Sequence, residues 1–447
     1  MKKYTLSAFF VLFSFSAYSQ QLSELLEIAE ENYPLLKAKS YDIVASRERL
    51  LNEKSSAIPT LDGAYQLNYA TYNNITGMAS GQYFIPISGP PSGSNQSDAV
   101  FGTVGSLLMN WEPLTFGQRK ARVGVAKANL EFQEADADQE AFSHKIKVAN
   151  GYLDLVMLHE LIKVYQKNAE RAAENLRIVR SLTVSGLRPG VDTALFNAEV
   201  SRARIELLAH TKLLDAQKIS FAELLGAKEV NYQHDTSFFN RLPENYYDSA
   251  FSNHPLIRLS AARFTIASQE RIALQRTLNP KLSLWGTAYA RGSGVRYDGY
   301  VDSNDGLSFS RYNYGVGFNL SIPLLRFATI HHQLKSHESA IQSQMEHLTL
   351  VKLQLDAQND VADVTLKNAI EIARENPSFF NSATFAYRAL QSRYNSGLVN
   401  YVDLVQSQYT LLKAEVDMKR SYLDVWKALL YKSAVKGDLN IFINQLN

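Results

Sequence analysis

The chain contains four segments in which apolar and polar residues alternate with the period of two that is typical of β-strands. These segments are residues 61–72, 99–112, 282–291 and 309–323. In the last segment, Tyr312 and Phe318 belong to the apolar set, whereas Asn313 and Asn319 belong to the polar set. Runs of this length, at about 3.3 Å per residue, match the apolar band of about 25 Å on outer-membrane strands. The pattern therefore predicts four strands, each with one apolar face.

The region between the second and third segments has the spacing of an α-helix instead. Apolar residues at alternating steps of three and four form one unbroken series: Leu155, Leu158, Ile162, Tyr165, Ala169, Ala172, Leu176 and Val179. A series of more than three heptads predicts a coiled-coil seam. Because no proline occurs from Leu114 to Arg188, we expect a single long helix over residues 117–185, about 100 Å in length at 1.5 Å per residue.

Short motifs recur in the same order in both halves of the chain. The Asn-x-Pro-Leu motif at 32–35 returns at 253–256, and the Ser-Gly-Leu motif at 185–187 returns at 396–398. Ordered recurrence predicts two copies of one unit. The matched positions include the prolines that lead into strands, Pro59 and Pro280, and the turn glycines, Gly186 and Gly397.

The repeats predict the domain organisation. We expect repeat 1 over residues 20–226, an equatorial linker over 227–254, and repeat 2 over 255–447. Each repeat has a helix, two strands, a long helix and a return helix, and repeat 2 ends in a short tail. The long and return helices are expected at 117–185 and 190–226 in repeat 1 and at 327–395 and 401–436 in repeat 2.

Helix lengths indicate how the chain runs. The return helix 190–226 and the helix after the linker together match the long helix in length, at about 1.5 Å per residue. The chain is therefore expected to descend in one long helix and to climb back in two, with the linker on the outside. Pro377 is expected to interrupt and kink the second long helix, because proline removes a backbone donor.

Four strands cannot form a closed sheet in a membrane by themselves. Unpaired strand edges are not tolerated in hydrocarbon, and known spanning barrels begin at about eight strands. Two or three chains must therefore share a barrel of eight or twelve strands. The long polar loops at 73–98 and 292–308 would lie on the outer side. Candidate residues for the aromatic girdles at the membrane interfaces are Tyr65, Trp111, Trp285, Tyr289 and Tyr314.

Strands in soluble sandwiches alternate as well, so one alternative stays open. It is a soluble periplasmic coiled-coil spacer or adaptor protein whose strands form a small sandwich. Residues 1–19 favour export in either case, because a basic start, an apolar core and small residues before Gln20 are typical of a secretory signal. No run of eighteen apolar residues that would predict a transmembrane helix occurs in the chain.

Composition excludes several classes of function. The chain has 46 Lys+Arg against 44 Asp+Glu, which argues against nucleic acid as a partner because phosphate binding needs a basic excess. The absence of cysteine excludes disulfides, thiolate metal sites and thiol nucleophiles. His159 is followed by Glu160, but the second histidine of a zinc-protease motif is missing. Without a Walker or Rossmann motif, no enzyme, cofactor or metal centre is predicted.

The sequence resembles the TolC-type outer membrane efflux protein family over residues 21–437. The resemblance depends on the duplicated plan, the Asn-x-Pro-Leu motifs, the strand-entry prolines, and the motifs at 111–119, 393–398 and 402–403. It implies a mainly α fold with a membrane β-barrel part. Three chains would form a twelve-stranded outer-membrane barrel and a twelve-helix periplasmic tunnel.

The resemblance also implies a function and partners. The protein would be the passive export duct of a tripartite efflux or type I secretion system. It would assemble as a homotrimer in the lipid of the outer membrane, bind a periplasmic adaptor (a membrane fusion protein), and work with an inner-membrane pump of the RND or ABC type. The cargo is not predicted, because the pump selects it.

In this family the helix turns at the periplasmic end close the tunnel, and the matching turns are 185–192 and 396–403. Asp403 aligns with a carboxylate that faces the lumen, and the second family carboxylate is replaced by Gln406. Threefold symmetry would bring three Asp403 side chains together, and such a ring attracts cations. The alternative is that Asp403 caps a helix after the glycine turn.

The resemblance further implies a network that holds the turns closed. Tyr394 and Asp192 match two of its members. The position of its basic member is occupied by Val399, so this chain must obtain the positive charge elsewhere. Arg393 and Arg188 are the two candidates.

Overall fold

The computed structural model of the protein describes most of the chain between Leu22 and Gln445. The described residues are 22–73, 93–229, 236–239, 241–244, 254–296 and 298–445. The predicted signal at 1–19 lies outside them, as do most of the predicted loop 73–98 and more than half of the predicted linker 227–254.

Between the first and the last helix of the described chain, the order helix, strand, strand, long helix, helix occurs twice. The elements are α1 (Leu22–Asn32), α2 (Pro34–Ser55), β1 (Thr60–Thr71), β2 (Ala99–Leu114), α3 (Gln118–Val184), α4 (Gly190–Leu224), α5 (Pro255–Arg276), β3 (Lys281–Ser293), β4 (Arg311–Ser321), α6 (Arg326–Asn395), α7 (Tyr401–Lys436) and α8 (Asn440–Ile443). With 67 and 70 residues, α3 and α6 are each about 100 Å long at 1.5 Å per residue. Pro59 and Pro280 directly precede β1 and β3, where a missing backbone donor costs no ladder bond.

The chain divides into two compact units. The first, the helical unit, consists of Met1–Ile43, Gln133–Ala261 and Glu346–Asn447. The second, the sheet unit, consists of Val44–Phe132 and Ala262–Met345.

The sheet unit contains one antiparallel sheet in the order β1-β2-β3-β4. Its register gathers the apolar sets of all four strands on one face. This apolar face includes Leu61, Tyr65, Leu67, Tyr69, Leu107, Met109, Leu282, Leu284, Tyr312, Tyr314, Val316 and Phe318. Its side chains are strongly exposed on β4, where 91% of Tyr314 is accessible to solvent. Within the described residues, the outer edges of β1 and β4 pair with no other strand.

Two of the predicted girdle aromatics lie on the opposite, polar face. Trp285 pairs with Gly317 and Tyr289 with Asn313, whereas Tyr314 pairs with Ala288 on the apolar face. Both girdles of a barrel lie on its lipid-facing side. The five candidates therefore cannot all be girdle residues, and the prediction is wrong for one of the two groups. The physical reason is the strict alternation of a strand, which sends odd-numbered residues of β3 to the polar side.

The helical unit has an apolar core along the predicted seam. All eight seam residues belong to two clusters of buried and partly buried side chains, so the seam is confirmed. The larger cluster contains Trp426, which is 1% exposed and donates a hydrogen bond from Nε1 to the carbonyl oxygen of Phe238, at 3.0 Å. Removing a buried aromatic side chain of this kind typically costs about 3–5 kcal/mol.

The return helices α4 and α7 end in similar surroundings. Gly226 and Gly437 follow them in the left-handed conformation, with φ of 66° and 73°. A Cβ atom at Gly226 would lie 2.8 Å from the carbonyl oxygen of Asn32, and one at Gly437 would lie 2.9 Å from Cα of His254. Each glycine is therefore required both by its backbone conformation and by the close approach of an Asn-x-Pro-Leu motif.

Helix α6 continues through Pro377, so the predicted interruption of the helix is wrong. The helical turns before and after Pro377 are stabilised by packing, since Ala373 and Ala383 on either side of it are buried in the core. In the part of the chain that the structure describes, no helix is both long enough and apolar enough to cross a membrane.

Candidate functional site

The predicted gate lies at two helix turns of the helical unit, and the two turns have the same backbone geometry. Gly186 and Gly397 have φ of 73° and 79°, a left-handed conformation that glycine adopts without strain. In each turn the glycine N–H donates to a carbonyl three residues earlier, at 3.0 Å. The next N–H donates to a carbonyl five residues earlier, at 2.9 Å. These bonds satisfy carbonyl groups at the ends of α3 and α6.

Tyr394, at the end of α6, and Asp192, at the start of α4, form the centre of the site. The hydroxyl of Tyr394 donates a hydrogen bond to Oδ2 of Asp192, at 3.0 Å. Both side chains are buried, and the ring of Phe196 packs edge-on against that of Tyr394. A buried hydrogen bond to a carboxylate is stronger than one between neutral groups, so it fixes the first turn of α4 against the last turn of α6.

Arg188 supplies the positive charge of this cluster. Its Nη2 donates to the carbonyl oxygens of Tyr394 and Val399, at 2.9 and 3.0 Å. Its guanidinium carbon lies 4.3 Å from the centre of the Tyr394 ring, within the range of a cation–π interaction. Of the two candidate arginines, the structure therefore brings Arg188 to Val399, whereas the side chain of Arg393 is exposed.

The environment of Tyr394 changes its acidity. Burial raises the pKa of its hydroxyl to about 12, and the hydrogen bond to the negative Asp192 acts in the same direction. Tyr394 is therefore neutral at physiological pH and remains a hydrogen-bond donor.

Asp403 does not cap α7, so the capping alternative is wrong. The cap is Asn400, whose side-chain oxygen accepts a hydrogen bond from the backbone N–H of Asp403, at 2.9 Å. Asn400 directly precedes the first residue of α7, so its side chain can accept a hydrogen bond from the backbone N–H three residues later. Asp403 itself lies inside the first turn and therefore cannot be the N-cap. The side chains of Asp403 and Gln406 are both exposed, so a cation or another chain has access to the carboxylate.

A second polar cluster joins α4 and α7, and the sequence reasoning missed it. Glu199 accepts hydrogen bonds from the hydroxyls of Tyr401, at 3.4 Å, and Tyr409. Arg202 lies over the ring of Tyr409, 4.6 Å from its centre. Burial, followed by the charge of Glu199, raises the pKa of Tyr401 to about 12, and burial also raises the pKa of Tyr409.

A third set of polar contacts crosses from α3 to α6 and α7. Asn175 donates from Nδ2 to Oε1 of Gln408, at 3.0 Å, and accepts from Nε2 of Gln391, at 2.9 Å. Arg171 and Glu415 form a bidentate ion pair with distances of 2.9 and 2.6 Å. Asn168 belongs to the same set, since its Oδ1 accepts from Nε2 of Gln408 at 3.2 Å. Asn168 and Asn175 are seven residues apart beside the apolar seam, and this spacing was a sequence signal for the set. Polar residues at such positions fix the register of coiled coils.

Comparison with known proteins identifies the family of the chain. The family model described as "Outer membrane efflux protein" matches residues 25–227 and 246–429. The pyoverdine export outer membrane protein OpmQ of Pseudomonas aeruginosa is 24% identical over 388 residues, which are 84% of this chain and 78% of OpmQ.

Two further similarities extend the comparison. The cobalt-zinc-cadmium resistance protein CzcC of Cupriavidus metallidurans is 20% identical over 67% of this chain and 69% of its own. The crystal structure of the outer membrane protein VceC of Vibrio cholerae has a TM-score of 0.75 and 16% identity, and it covers 94% of this chain and 97% of VceC. Because the family match covers most of the residues, the chain belongs to the outer membrane efflux protein family and is an efflux channel of the outer membrane.

Proposed function

We propose that three copies of the chain form one passive duct across the outer membrane and the periplasm. Each copy would contribute four strands to a twelve-stranded barrel and four helical columns to a tunnel of twelve. The observation that carries the proposal is the open sheet, which exposes much of an apolar face and has two outer edges that pair with no other described strand. Lipid would cover the face, and neighbouring copies would pair with the edges, because hydrocarbon does not tolerate unpaired strands.

Exposed apolar residues on the helices support an assembly of several copies. Ile205 and Leu208 on α4, and Val361 and Val364 on α6, each expose more than half of their side chains. Within each pair the two residues are three positions apart and so lie on one face of the helix. Large exposed apolar surfaces mark interaction sites in proteins. In a trimer these residues would be covered by the neighbouring copies.

The recurrent plan supports duplication as the origin of the chain. The helix, strand pair, long helix and return helix occur twice in the same order, and both return helices end against an Asn-x-Pro-Leu motif. The two segments matched by the family model, 25–227 and 246–429, divide the chain near the expected linker. We infer two tandem repeats, each providing one strand pair and two helical columns per copy.

The turns at 185–192 and 396–403 would form the periplasmic gate. The buried contact between Tyr394 and Asp192, held by Arg188, would keep the closed arrangement. The exposed Asp403 and Gln406 would line the narrowest part of the pore around the threefold axis. Opening would require the ends of α4 and α6 to separate, which breaks these contacts.

The tips of the helices supply a surface for a periplasmic adaptor. Apolar residues at equivalent positions of the two turns are strongly exposed: Leu187, Val191, Leu398 and Val402. Such a patch fits an apolar surface on a membrane fusion protein, which would connect the duct to an RND or ABC-type pump. No nucleotide motif occurs in the chain, so the pump would supply energy and select the cargo. The relative OpmQ is named for pyoverdine export and the relative CzcC for cobalt-zinc-cadmium resistance.

Cell fractionation combined with electrophoresis tests the proposal. We expect the protein in the outer-membrane fraction, extractable only with detergent, and running as an oligomer of three chains that dissociates on heating. Chemical cross-linking would give the number of copies independently. Release of the protein by osmotic shock as a soluble monomer would support the periplasmic spacer instead and would exclude the duct.

A further inference from the structure

Taken together, the ends of the four strands that meet the helices carry an excess of positive charge. We define the junction band as residues 51–59, 110–122, 275–281 and 322–332 of the sheet unit. It contains seven basic residues and two acidic ones, whereas the whole chain is nearly balanced, with 46 Lys+Arg against 44 Asp+Glu. The charged residues are Lys54, Arg119, Lys120, Arg122, Arg276, Lys281 and Arg326, with Glu53 and Glu112.

Both acidic residues of the junction band are already paired. Glu53 accepts from Nε of Arg122 at 3.3 Å, and Glu112 accepts from Nζ of Lys281 at 2.8 Å. Among the described residues, the other five basic side chains have no carboxylate partner within salt-bridge distance: Lys54, Arg119, Lys120, Arg276 and Arg326. The band therefore presents several uncompensated positive charges, and an anionic partner would neutralise them.

Three of these cations surround a groove with apolar walls. The groove has a volume of about 500 Å³, and its lining includes Lys54, Leu114, Phe116, Arg119 and Lys120. Leu114 and Phe116 are 54% and 53% exposed. Nη2 of Arg119 donates to the carbonyl oxygen of Glu112, while its buried Nε has no hydrogen-bond partner among the described residues. A ligand of this groove must therefore combine an anionic group with an apolar part.

Phe116 has a strained backbone conformation. Phe116 has φ of 45°, and among the described residues it is the only non-glycine residue with positive φ. A bulky side chain in this region is strained, and such strain persists where the surrounding structure or a function requires it. Here the strained residue leaves an aromatic ring exposed beside the cations.

The strand-to-helix connection after β4 also combines a cation with exposed apolar side chains. Arg326 lies between Leu325 and Phe327, and both apolar side chains are more than half exposed. Ile322 and Leu324, which follow β4, are exposed to a similar extent. Both strand-to-helix connections thus combine exposed apolar side chains with an unpaired cation.

We propose that the junction band binds anionic phospholipids of the periplasmic leaflet, with the cations on the headgroup phosphates and the apolar side chains among the acyl chains. This proposal rests on the proposed barrel, because the strand ends that meet the periplasmic helices would lie at this leaflet. Lys and Arg near an anionic membrane surface each contribute about a fivefold gain in binding. Apolar side chains beside them are buried at the boundary between headgroups and acyl chains.

Lipid retention by the full-length protein tests the site. The detergent-purified oligomer is reconstituted in nanodiscs containing equal amounts of phosphatidylglycerol and phosphatidylcholine, extracted again, and analysed for retained lipid by mass spectrometry. We expect phosphatidylglycerol to be enriched at least about threefold at low salt and much less at high salt, because salt screens exposed charges. The variant Lys54→Gln/Lys120→Gln/Arg326→Gln should retain the two lipids equally.

The control variant Lys167→Gln/Lys212→Gln/Lys413→Gln removes three exposed cations of the helical unit and should keep the enrichment. Enrichment that survives the first variant, or that is insensitive to salt in the unmodified protein, would overturn the lipid site. Displacement of the lipid by millimolar inorganic phosphate would assign the cations to a soluble anion and would overturn it as well. Failure of the barrel itself would be recognised separately, because the protein would then purify without detergent.

Discussion

Arg188 and Tyr394 contact each other in two ways across the helix turns. The guanidinium carbon of Arg188 lies 4.3 Å from the centre of the Tyr394 ring, and its Nη2 donates to the Tyr394 carbonyl oxygen at 2.9 Å. The arginine therefore acts on the aromatic ring and the backbone, while Asp192 binds the hydroxyl of the same tyrosine. One residue of α6 is thus held on three sides by the turn that joins α3 to α4.

Replacing Arg188 should weaken this cluster. Arg188→Ala removes two hydrogen bonds from a charged donor and the cation–π contact, at a cost of about 1.5–3 kcal/mol for each charged hydrogen bond. We expect a larger conductance in single-channel recordings in planar bilayers. Arg393→Ala is the matched control, since Arg393 directly precedes Tyr394 in the chain and its side chain is exposed. Equal effects of the two substitutions would remove Arg188 from the gate.

Alkaline pH should loosen the same cluster through Tyr394. Burial and the bond to Asp192 raise the pKa of Tyr394 to about 12 from the ordinary value near 10. The neutral hydroxyl is favoured in the folded state, so its contribution is complete below about pH 10 and is lost as the pH rises to about 12. Conductance should increase over this range. In Tyr394→Phe it should already be high at neutral pH, and the contribution from residue 394 to the pH response should disappear.

Asp403 should control how the pore interacts with cations. Three carboxylates around one axis attract divalent ions, so Asp403→Ala should weaken the block by divalent cations about tenfold or more and change the conductance. Assembly should be unaffected, because the capping bond of α7 comes from Asn400. The control is Asp215→Ala, at an exposed position on α4. Unaltered channel records for Asp403→Ala would exclude the residue from the pore constriction.

The Glu199 cluster should stabilise the packing of α4 against α7. Glu199→Gln and Tyr409→Phe each remove a charge-assisted hydrogen bond, for which we expect a loss of about 1–3 kcal/mol. The double variant should lose less than the sum of the two, because both changes break one contact. Thermal unfolding followed by circular dichroism measures these losses. Glu223→Gln, an exposed change on α4, should be neutral; additive losses would show that the two groups do not interact.

Packing across the polar face of the sheet should limit what position 317 accepts. A Cβ atom at Gly317 would lie 2.6 Å from the indole of Trp285, whereas one at Gly315 would lie 3.4 Å away. Gly317→Ala should therefore cost about 1–3 kcal/mol through overpacking. It should lower the temperature at which the oligomer dissociates in detergent. Gly315→Ala should change that temperature little, and Trp285→Ala should restore Gly317→Ala if the indole causes the clash.

The elements of the fold were largely predictable because their periods are long and regular. A seam of eight apolar residues and four alternating segments leave few choices, and each alternating segment forms a strand. The position of Trp285 was not predictable from its own strand. Which face a residue occupies depends on the register with the neighbouring strand, and a single shift exchanges the two faces.

The candidate site was predictable only where the residues match the family pattern. Tyr394 and Asp192 were found in this way, and the structure joins them directly. The role of Arg188 was left open, because it binds backbone carbonyls and an aromatic ring, for which a sequence has no fixed spacing. Glu199 and Tyr409 were missed for the same reason, since their contact depends on the relative rotation of two helices 210 residues apart in the chain.

The contact between the Tyr394 hydroxyl and Asp192 lies entirely within one polypeptide. In an oligomer, each subunit would therefore break its own contact between Tyr394 and Asp192 independently of the neighbouring subunits. A channel built in this way need not switch between only two levels of current. Single-channel recordings from assemblies that mix unmodified and Tyr394→Phe subunits should show discrete conductance levels. The conductance should rise by one level for each altered subunit.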